Sequence, residues 1–429
     1  MSKSAKLKAI KGMNDVIPGH KEDFLESDVW RFILEQGENA LEGYGYKRLQ
    51  SPICEPTALF QRGLGDTTDI VSKEMYSFED RGGRAMTLRP EGTASAVRAF
   101  IEHGFAQSHP IQRWWYFGPM FRAERPQKGR YRQFYQIGAE FFGVSSPESE
   151  VEMLVMLKEF LQSLGLKETR LRLNSLGDGE SREAYRSALI DFFVSRQSEL
   201  SEEAQALIHL NPLRILDSKR PADKAVCGDA PDILDSLSES ARAHFERVQA
   251  SLNELGVEFD RDSRLVRGLD YYTGTIFEFT TGQLGAQDAI LGGGRYDGLV
   301  EELGGPSVPA IGFAAGVERL ALLIASEREA TREGLYIAPC LASSTACLKL
   351  ASVLRSKGVR RVELDVAGGR LKQQLKRADR AGARWLLIVG ENEFESGIVQ
   401  LKNLETGEQT EIKHDAKLIF NALSENQGA

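Results

Sequence analysis

The run of residues 267–274, Arg-Gly-Leu-Asp-Tyr-Tyr-Thr-Gly, carries the densest set of chemically useful side chains in this sequence. It places a cation, a carboxylate and two phenols beside the alternating apolar segment 275–279. The edge of a hydrophobic core does not need so much polar chemistry, so the pattern indicates a ligand site. A tight turn whose tyrosines cap a sheet is the alternative, and the run by itself does not decide between the two.

A second polar group is cationic and lies between two aromatic segments. Five lysine and arginine residues occur from Arg122 to Arg132, on a stretch too long for a tight turn. A planar guanidinium can bind phosphate through two hydrogen bonds and keeps its charge, so an arginine-rich loop favours a polyanionic ligand. A solvated charged loop is the alternative.

Polar residues at strand spacing follow this loop. Gln136 and Glu140 are four residues apart, so on a strand they face the same side, together with Phe134. An amide and a carboxylate beside an aromatic ring are what a small cationic ligand requires. The turn 89–93, Arg-Pro-Glu-Gly-Thr, adds a carboxylate and a hydroxyl, although Thr93 could act only as a helix cap.

A further arginine, Arg319, lies where an apolar strand pattern passes into a helical one. Gly312 and Gly316 precede it and would let a ligand approach the backbone closely. A structural salt bridge is the alternative for an isolated arginine at such a position.

Hydrophobic periodicity and turn residues predict the elements that position these side chains. The patterns predict, in order, a helix over 24–41, a strand over 47–54, a hairpin over 75–90, strands over 112–121 and 132–142, a helix over 146–164, helices over 178–256, a strand over 265–280, a glycine turn at 292–294 and a strand passing into a helix over 311–320. After a charged linker at 326–333, strands over 335–341, 361–366 and 385–390 alternate with helices over 343–357 and 370–381. That alternation predicts a small, mainly parallel α/β domain.

Length and composition indicate a globular protein of two or three domains. Of its 429 residues, 41% are hydrophobic and 27% charged, and the four scattered cysteines predict neither a disulfide framework nor a zinc site. The six histidines form no i, i+4 pair, so no metal held by the protein is predicted. The net charge of −8 argues against coating nucleic acid by bulk electrostatics but is compatible with a local basic face. No apolar run could cross a bilayer, so a cytoplasmic protein without membrane contact is expected.

Taken together, these segments resemble the three signature regions of the class II aminoacyl-tRNA synthetases, in the same order. Pro52 matches the proline of the first region, Arg122 the arginine of the second, and residues 316–319 the third. The segments 265–272 and 293–299 are similar to two that are peculiar to the histidyl-tRNA synthetase family. The resemblance covers nearly the whole chain.

The resemblance implies an α+β catalytic domain with a mainly antiparallel sheet, a helical insertion and a C-terminal α/β anticodon-binding domain. It implies that residues 1–174 and 258–327 form the two parts of the catalytic domain, 175–257 the insertion and 328–429 the anticodon-binding domain. Because Pro52 belongs to the region that forms the dimer interface in this family, a homodimer is expected.

The implied activity is the ATP-dependent ligation of L-histidine to tRNA(His) through a histidyl-adenylate, with Mg2+ accompanying ATP. Arg122 would bind the α-phosphate, Arg267 would bridge that phosphate and the histidine carboxylate, and Arg319 would bind the γ-phosphate. These three arginines are the implied catalytic residues, and Arg130 joins them in the implied ATP-binding set.

The resemblance also implies binding sites for histidine and tRNA. The implied histidine-binding residues are Glu91, Gly92, Thr93 and Gln136 around the α-ammonium, Glu140 and Tyr272 at opposite edges of the imidazole, and Tyr271 and Tyr296 as walls. The implied tRNA-binding residues are Arg125, Gln127 and Arg130 for the acceptor end and Arg370, Lys372, Lys376 and Arg377 for the anticodon. A solvated helix face is the alternative for the last four.

Two alternatives to this function remain. The regulatory subunit of ATP phosphoribosyltransferase is a non-catalytic, histidine-binding paralogue of the same fold, but such proteins usually lack the C-terminal domain that this chain keeps. A class II synthetase for threonine, proline or glycine would lack the paired tyrosines Tyr271 and Tyr272, and Glu140 would then have no purpose. The sequence assigns no role to Asp270.

Overall fold

The computed structural model describes residues 7–65, 68–284, 289–325, 332–341 and 344–425. The chain divides into two compact units, Met1–Glu327 and Arg328–Ala429. The predicted linker at 326–333 falls largely outside the described residues. Within the described ranges, no helix is both long and apolar enough to cross a membrane.

The first unit combines two sheets with many helices. Its strands are β1 (Lys47–Arg48), β2 (Cys54–Pro56), β3 (Tyr76–Glu79), β4 (Ala85–Leu88), β5 (Gln112–Phe121), β6 (Gln133–Phe142), β7 (Arg170–Ser175), β8 (Asp260–Arg261), β9 (Thr273–Thr280), β10 (Ala289–Arg295) and β11 (Ala310–Gly316). Its α-helices are α1 (Ser27–Gly43), α2 (Thr57–Leu64), α3 (Thr93–Glu102), α4 (Phe105–Ser108), α5 (Pro147–Ser163), α6 (Gly179–Ser195), α7 (Glu202–Leu207), α8 (Leu213–Leu216), α9 (Pro221–Cys227), α10 (Glu239–Glu254), α11 (Leu299–Glu302) and α12 (Val317–Ile324). A π-helical turn covers Ile70–Glu74.

The main sheet has eight strands in the order β1-β5-β6-β11-β10-β9-β7-β8. Neighbouring strands are antiparallel except for the two end pairs, β1 with β5 and β7 with β8. The predicted, mainly antiparallel sheet is therefore confirmed. Strands β5 and β6 pair along their whole lengths and are joined by the loop 122–132, as their aromatic patterns predict.

The two faces of this sheet differ because successive side chains of a strand point to opposite sides. One face presents large buried residues such as Trp115, Phe277 and Phe313, and helices α1, α5, α10 and α12 pack on it. Burial of each such aromatic side chain stabilises the fold by roughly 1.5–3 kcal/mol. The opposite face carries polar residues and glycines, and we call it the polar face.

Two predictions for this sheet are wrong. Residues 292–294 do not form a turn but lie inside β10, which pairs with β9 and β11. A Cβ on Gly293 would come within 2.0 Å of the carbonyl oxygen of Gly312, so glycine here permits close approach of backbones. The strand predicted from Leu265 begins only at Thr273, and the polar run before it is a loop.

A smaller antiparallel sheet has the order β2-β4-β3. Its β3–β4 pair is the predicted hairpin. The strand predicted over 47–54 is divided between β1 in the main sheet and β2 in the small one. Pro52 lies between them and cannot donate a hydrogen bond to a ladder, which explains the interruption.

The chain between β7 and β8 is helical, as predicted, and comprises α6 to α10. Helix α10 packs against α5 and adds Phe245, Val248 and Leu252 to the core beneath the main sheet. Helices α6 to α9 instead share a second apolar cluster with α2 and α3. The boundaries given above for the insertion and the catalytic parts stay predictions.

The second unit is an α/β domain. Its elements are β12 (Leu335–Cys340), α13 (Thr345–Ser356), β13 (Val362–Leu364), α14 (Leu371–Arg380), β14 (Trp385–Gly390), α15 (Glu391–Glu395), β15 (Ile398–Asn403), β16 (Gln409–Lys413) and α16 (Ala416–Glu425). The predicted helix start at residue 343 lies outside the described residues. Strands β13, β12 and β14 are parallel neighbours as predicted, but β15 and β16 extend the sheet with antiparallel pairs. Their connection over 404–408 is too short for a parallel crossover.

A buried ion cluster cross-links helices and sheet in the first unit. Glu150 of α5 is fully buried, accepts a hydrogen bond of 2.6 Å from Arg295 Nε and shares another of 2.6 Å with His244 Nε2. Burial opposes ionisation of this carboxyl, but the contact with His244 and the charge of Arg295 outweigh it and lower the pKa of Glu150. The cluster joins α5, α10 and the end of β10.

We expect Glu150→Ala to lower the free energy of unfolding by about 3–5 kcal/mol, because it removes the fully buried carboxylate from the guanidinium of Arg295 and leaves that charge only the partly exposed Asp297 as an acidic partner. Urea denaturation measures the loss. Glu148→Ala on the same helix removes only an exposed contact of 3.4 Å with Arg247 and should cost less than about 1 kcal/mol. Equal losses in the two variants would contradict the role of the cluster.

The stabilisation by Glu150 should also depend on pH. Because its pKa is lower in the folded state, the contribution is present above the ordinary carboxyl value of 4.5 and is lost as the pH falls further below that value. Repeating the denaturation series between neutral and acidic pH should show the two variants converging in stability at low pH.

Candidate active site

A cleft of about 1390 Å³ opens on the polar face of the main sheet. Strands β6, β9, β10 and β11, the loop 122–132, the run 267–272 and the helical region all contribute to its lining. Nine of the predicted site residues line it, namely Glu91, Thr93, Arg122, Arg130, Gln136, Arg267, Tyr271, Tyr272 and Arg319. Gly92, Glu140 and Tyr296 are buried and do not appear on the surface of the cleft.

Four adjacent strands each contribute a glycine to the polar face, and a polar side chain lies on each of these glycines. The pairs are Gly118 with Arg89, Gly138 with Tyr116, Gly312 with Glu140 and Gly292 with Arg267. In every pair an added Cβ would come within 1.8–2.6 Å of the covering side chain, where atoms overlap. We call Gly118, Gly138, Gly292 and Gly312 the glycine floor.

Arg267 is held at the floor by an ion pair with Glu278 of β9. The ring of Tyr272 lies 5.9 Å from its guanidinium carbon. Burial opposes the charge of Arg267, but Glu278 outweighs this effect and raises the arginine's pKa. The sequence interpretation missed Glu278, although a lone acid within the apolar strand 275–279 was the available signal.

Arg122 enters the cleft from the end of β5. Its Nε donates to the carbonyl oxygen of Pro90 at 3.0 Å, and the ring of Phe134 lies 5.2 Å from its guanidinium carbon. Burial lowers the pKa of Arg122, against the opposing charges of Glu124 and Glu74. A cation that has lost part of its hydration in this way gains from an anionic ligand.

Arg319 approaches the same cleft from α12. Its Nε donates to the carbonyl oxygen of Gly129 at 3.2 Å and its Nη1 to that of Ala289 at 2.7 Å. Burial and the nearby charge of Arg130 lower the pKa of Arg319. Four arginines from three separate segments, the loop 122–132, the run 267–272 and α12, therefore converge on one cleft, as a polyphosphate would require.

Beneath the cleft, Glu140 is surrounded by hydroxyl groups. Its Oε1 accepts hydrogen bonds from Thr93 Oγ1 at 2.8 Å and from the Tyr116 hydroxyl at 3.1 Å, and its Oε2 accepts one from the Tyr296 hydroxyl. Burial raises the pKa of Glu140 to about 8, and the hydroxyl hydrogen bonds act in the opposite direction. Sequence reasoning predicted Glu140, Thr93 and Tyr296 but missed Tyr116, whose aromatic neighbours made it resemble a core residue.

The turn before α3 corrects one prediction. Thr93 does not cap this helix, because its hydroxyl donates to Glu140. Glu91 provides the cap instead, with Oε2 accepting from the Thr93 amide at 2.6 Å and Oε1 from the Ala94 amide at 2.8 Å. Burial raises the pKa of Glu91, and these two hydrogen bonds oppose the rise.

The structure places Gln136 and the three predicted tyrosines as follows. Gln136 shares the polar face with Glu140, and its Oε1 is buried with no hydrogen-bond partner in the described part of the chain. The rings of Tyr271 and Tyr272 have centroids 4.6 Å apart, and the ring of Tyr296 lies 5.6 Å from that of Tyr271. Three aromatic rings thus enclose a small polar pocket.

The loop 122–132 also borders a neighbouring cavity of about 660 Å³. Arg125, Gln127 and Arg130, which were predicted together, line it together, and their contact with tRNA stays a prediction. The backbones of Gln127 and Arg130 bond to each other, and Arg130 donates to Glu124 at 3.0 Å. A cationic tip with an amide side chain therefore lies next to the main cleft.

The predicted basic face of the second unit is only partly exposed. Arg370, Lys372 and Lys376 are exposed on or next to α14. Arg377 instead donates to the buried carboxylate of Asp365 at 2.8 and 3.0 Å, which fixes its side chain. In the described residues, no group of three or more histidine, cysteine, aspartate or glutamate side chains could hold a metal ion.

Asp270, for which the sequence suggested no role, joins the polar run to the helical region. Asn211 Nδ2 donates to its Oδ1 at 3.2 Å, and Arg182 donates to its carbonyl oxygen at 3.3 Å. The structure therefore places it as an anchor for the loop that carries Arg267 and Tyr271.

Comparison with known proteins gives consistent matches over both units. A family model described as histidyl-tRNA synthetase matches residues 22–320, and one described as anticodon binding domain matches residues 335–418. The histidine--tRNA ligase of Thermosynechococcus vestitus is 47% identical over 97% of this chain and 96% of its own, and that of Sorangium cellulosum is 49% identical over 95% and 94%. The crystal structure of apo S. aureus histidyl-tRNA synthetase is 36% identical and superimposes with a TM-score of 0.77, covering 97% of this chain and 99% of that one.

Proposed function

The chain belongs to the histidyl-tRNA synthetase family, and from this premise we propose how its cleft ligates L-histidine to tRNA(His) with ATP. The observation that carries the proposal is the convergence of Arg122, Arg267 and Arg319 on a cleft beside the pocket of Glu140. A polyphosphate and a small cationic amino acid can therefore meet on one sheet face.

The arginines divide the phosphates of ATP between them. Arg122 binds the α-phosphate, Arg267 bridges that phosphate and the histidine carboxylate, and Arg319 with Arg130 binds the γ-phosphate. Mg2+ enters with ATP as part of the substrate, because phosphate oxygens supply much of its coordination. Glu278 keeps Arg267 in place before either substrate arrives.

The reaction has two steps. A carboxylate oxygen of histidine attacks the α-phosphorus, the bond to the β-phosphate oxygen breaks, and pyrophosphate leaves. A hydroxyl of the terminal ribose of tRNA then attacks the carbonyl carbon of the adenylate, and AMP leaves. The protein acts by holding the reactants in line and by stabilising the negative charge that develops on phosphate.

Histidine is selected by hydrogen bonds on both of its ends. Glu91, Thr93 and Gln136 bind the α-ammonium, while Glu140 and Tyr272 bind opposite edges of the imidazole. A carboxylate has about four acceptor positions. Three hydroxyls occupy three of them on Glu140, and the imidazole N–H takes the fourth.

We assign the contacts with tRNA to two basic regions, one in each unit. Arg125, Gln127 and Arg130 contact the acceptor end, beside the cleft where the adenylate forms. Arg370, Lys372 and Lys376 contact the anticodon through their exposed side chains. Arg377, which also belongs to the predicted set, contributes by fixing the loop around Asp365.

The regulatory paralogue is the less supported alternative. The anticodon-binding match over residues 335–418 gives this chain a domain that a histidine sensor does not need. The full-length relatives described above are ligases by name, and the chain covers more than nine-tenths of each.

We also propose that the enzyme acts as a homodimer. Ile53, which follows Pro52 of the first signature region, is 44% exposed, and Phe78 on β3 of the small sheet is 46% exposed. Exposed apolar groups on a sheet are typical of an interface with another subunit.

The first expected outcome concerns the amino acid. Histidine should support ATP–pyrophosphate exchange, whereas threonine, proline and glycine should fall below it by roughly 10^4 or more, because they leave the buried acceptors of the pocket unpaired. Isotope exchange with each amino acid checks this. Absence of histidine-dependent exchange would refute the proposed enzymatic activity. Exchange with another amino acid instead would refute histidine as the substrate.

The glycine floor gives a second expected outcome. Gly292→Ala places a Cβ 2.6 Å from Nη1 of Arg267, which must move away from Glu278. The exchange rate at saturating substrates should fall about a hundredfold, which is the effect of losing one preorganised donor. Gly298→Ala is the control, since nothing lies within 4 Å of its Cβ, and it should keep full activity. Full activity in Gly292→Ala would contradict this placement of Arg267.

The third concerns assembly. Sedimentation equilibrium should give twice the chain mass of 47.6 kDa, and Phe78→Glu should yield a monomer because a charge cannot be buried unpaired in the interface. Leu255→Glu, at a side chain that is 61% exposed after α10, should leave the dimer intact. A monomeric wild-type protein, or a dimer that survives Phe78→Glu, would exclude this interface.

A further inference from the structure

We propose that Tyr116 is a positioning residue for histidine selection, because its hydroxyl orients the Glu140 carboxyl that reads the imidazole. The inference rests on the proposed function of the pocket and extends it to a residue that contacts no substrate. Like Glu140 itself, Tyr116 is buried and does not line the cleft, and its hydroxyl donates to the Glu140 carboxyl.

The ring of Tyr116 is held between two glycines. On β5 it lies directly opposite Gly138 of β6 in the sheet register. An added Cβ on Gly138 would come within 2.5 Å of the ring, and one on Gly92 within 2.3 Å. The ring thus has backbone on both sides, and glycine at these two positions creates the space that it fills.

This confinement fixes the position of the tyrosine hydroxyl. It lies 3.1 Å from Glu140 Oε1, which also accepts from Thr93 at 2.8 Å. Both donors occupy one carboxyl oxygen, while Tyr296 donates to the other. The free acceptor position of the carboxyl is thereby confined to Oε2, in a single orientation.

Loss of the hydroxyl would open a second acceptor position on Oε1. A buried carboxyl with two unfilled positions can rotate or take up water, and the imidazole then meets a poorly aligned acceptor. The hydrogen bond from Tyr116 also favours the ionised carboxylate, against the burial that raises the pKa of Glu140. The same substitution leaves the arginines that bind ATP untouched.

The test compares two buried tyrosines in ATP–pyrophosphate exchange. In Tyr116→Phe, the KM for histidine should rise about tenfold or more, as expected when a buried acceptor position on the Glu140 carboxyl is left unsatisfied. The KM for ATP and the rate at saturating histidine should stay within about twofold. Tyr185→Phe is the matched control, because the Tyr185 hydroxyl also donates at 3.1 Å, to Pro231, from a side chain only 2% exposed. It should change none of these constants.

Two further variants separate positioning from a general structural role. In a Glu140→Gln background, Tyr116→Phe should add less than about twofold to the KM for histidine, since neighbours that act as a unit are not additive. Gly138→Ala keeps the hydroxyl but displaces the ring, so it should reproduce the loss that is specific for histidine. It also carries the test if Tyr116→Phe does not fold.

Several results would overturn the proposal. One is a Tyr116→Phe enzyme whose kinetic constants match those of Tyr185→Phe. Another is an equal rise in the KM for ATP and the KM for histidine. A third is a double variant in which the effects of Tyr116→Phe and Glu140→Gln on the KM for histidine multiply. Failure of the proposed function is distinguishable, because the wild-type protein would then show no histidine-dependent exchange at all.

Discussion

The site depends on one steric constraint, which is that four neighbouring strands have no side chain where another segment lies on their backbone. Arg89, Tyr116, Glu140 and Arg267 each cover a glycine of the floor, and each would collide with a Cβ there. The usual alternation of a half-buried sheet is kept on the other face, where the large aromatic residues pack against four helices. One sheet thus supplies a hydrophobic core on one side and four glycines on the other, and these glycines let polar groups from different segments come together.

Charge is balanced differently at the two ends of the cleft. At the end proposed for phosphate, partly desolvated arginines are retained by acids or carbonyl oxygens, such as Glu278 for Arg267 and Gly129 for Arg319. At the histidine end, the acids are buried among hydroxyls and amides, and burial raises the pKa of both Glu91 and Glu140. Each end is short of the charge that its proposed ligand would bring, so the arrangement fits two substrates of opposite charge. The cluster of Glu150, Arg295 and His244 supports this arrangement from outside, since Arg295 directly precedes Tyr296.

Sequence patterns predicted the parts of this arrangement that depend on neighbours along the chain. The alternation of aromatic residues predicted both long strands, β5 and β6, and the spacing of Gln136 and Glu140 predicted that their side chains share one face. Patterns failed where the cause lies far away in sequence: the glycines at 292–294 resembled a turn because the packing of Gly293 against β11 and the position of Arg267 are tertiary facts. Tyr116 was missed for the same reason, as its role comes from Glu140 rather than from the aromatic residues beside it. Arg377 matched a basic face by composition, whereas its geometry depends on the buried Asp365.

The glycine floor also bears on how this pocket can evolve. A cavity usually changes its ligand through single substitutions that add or remove bulk on its lining, but here the floor has no bulk to remove and no room for addition. Gradual change is left to the residues around the pocket that carry side chains, and Tyr296 among them is tied to Glu140 by its hydroxyl. Selectivity for histidine then depends partly on backbone positions at which any added side chain would cause a steric clash.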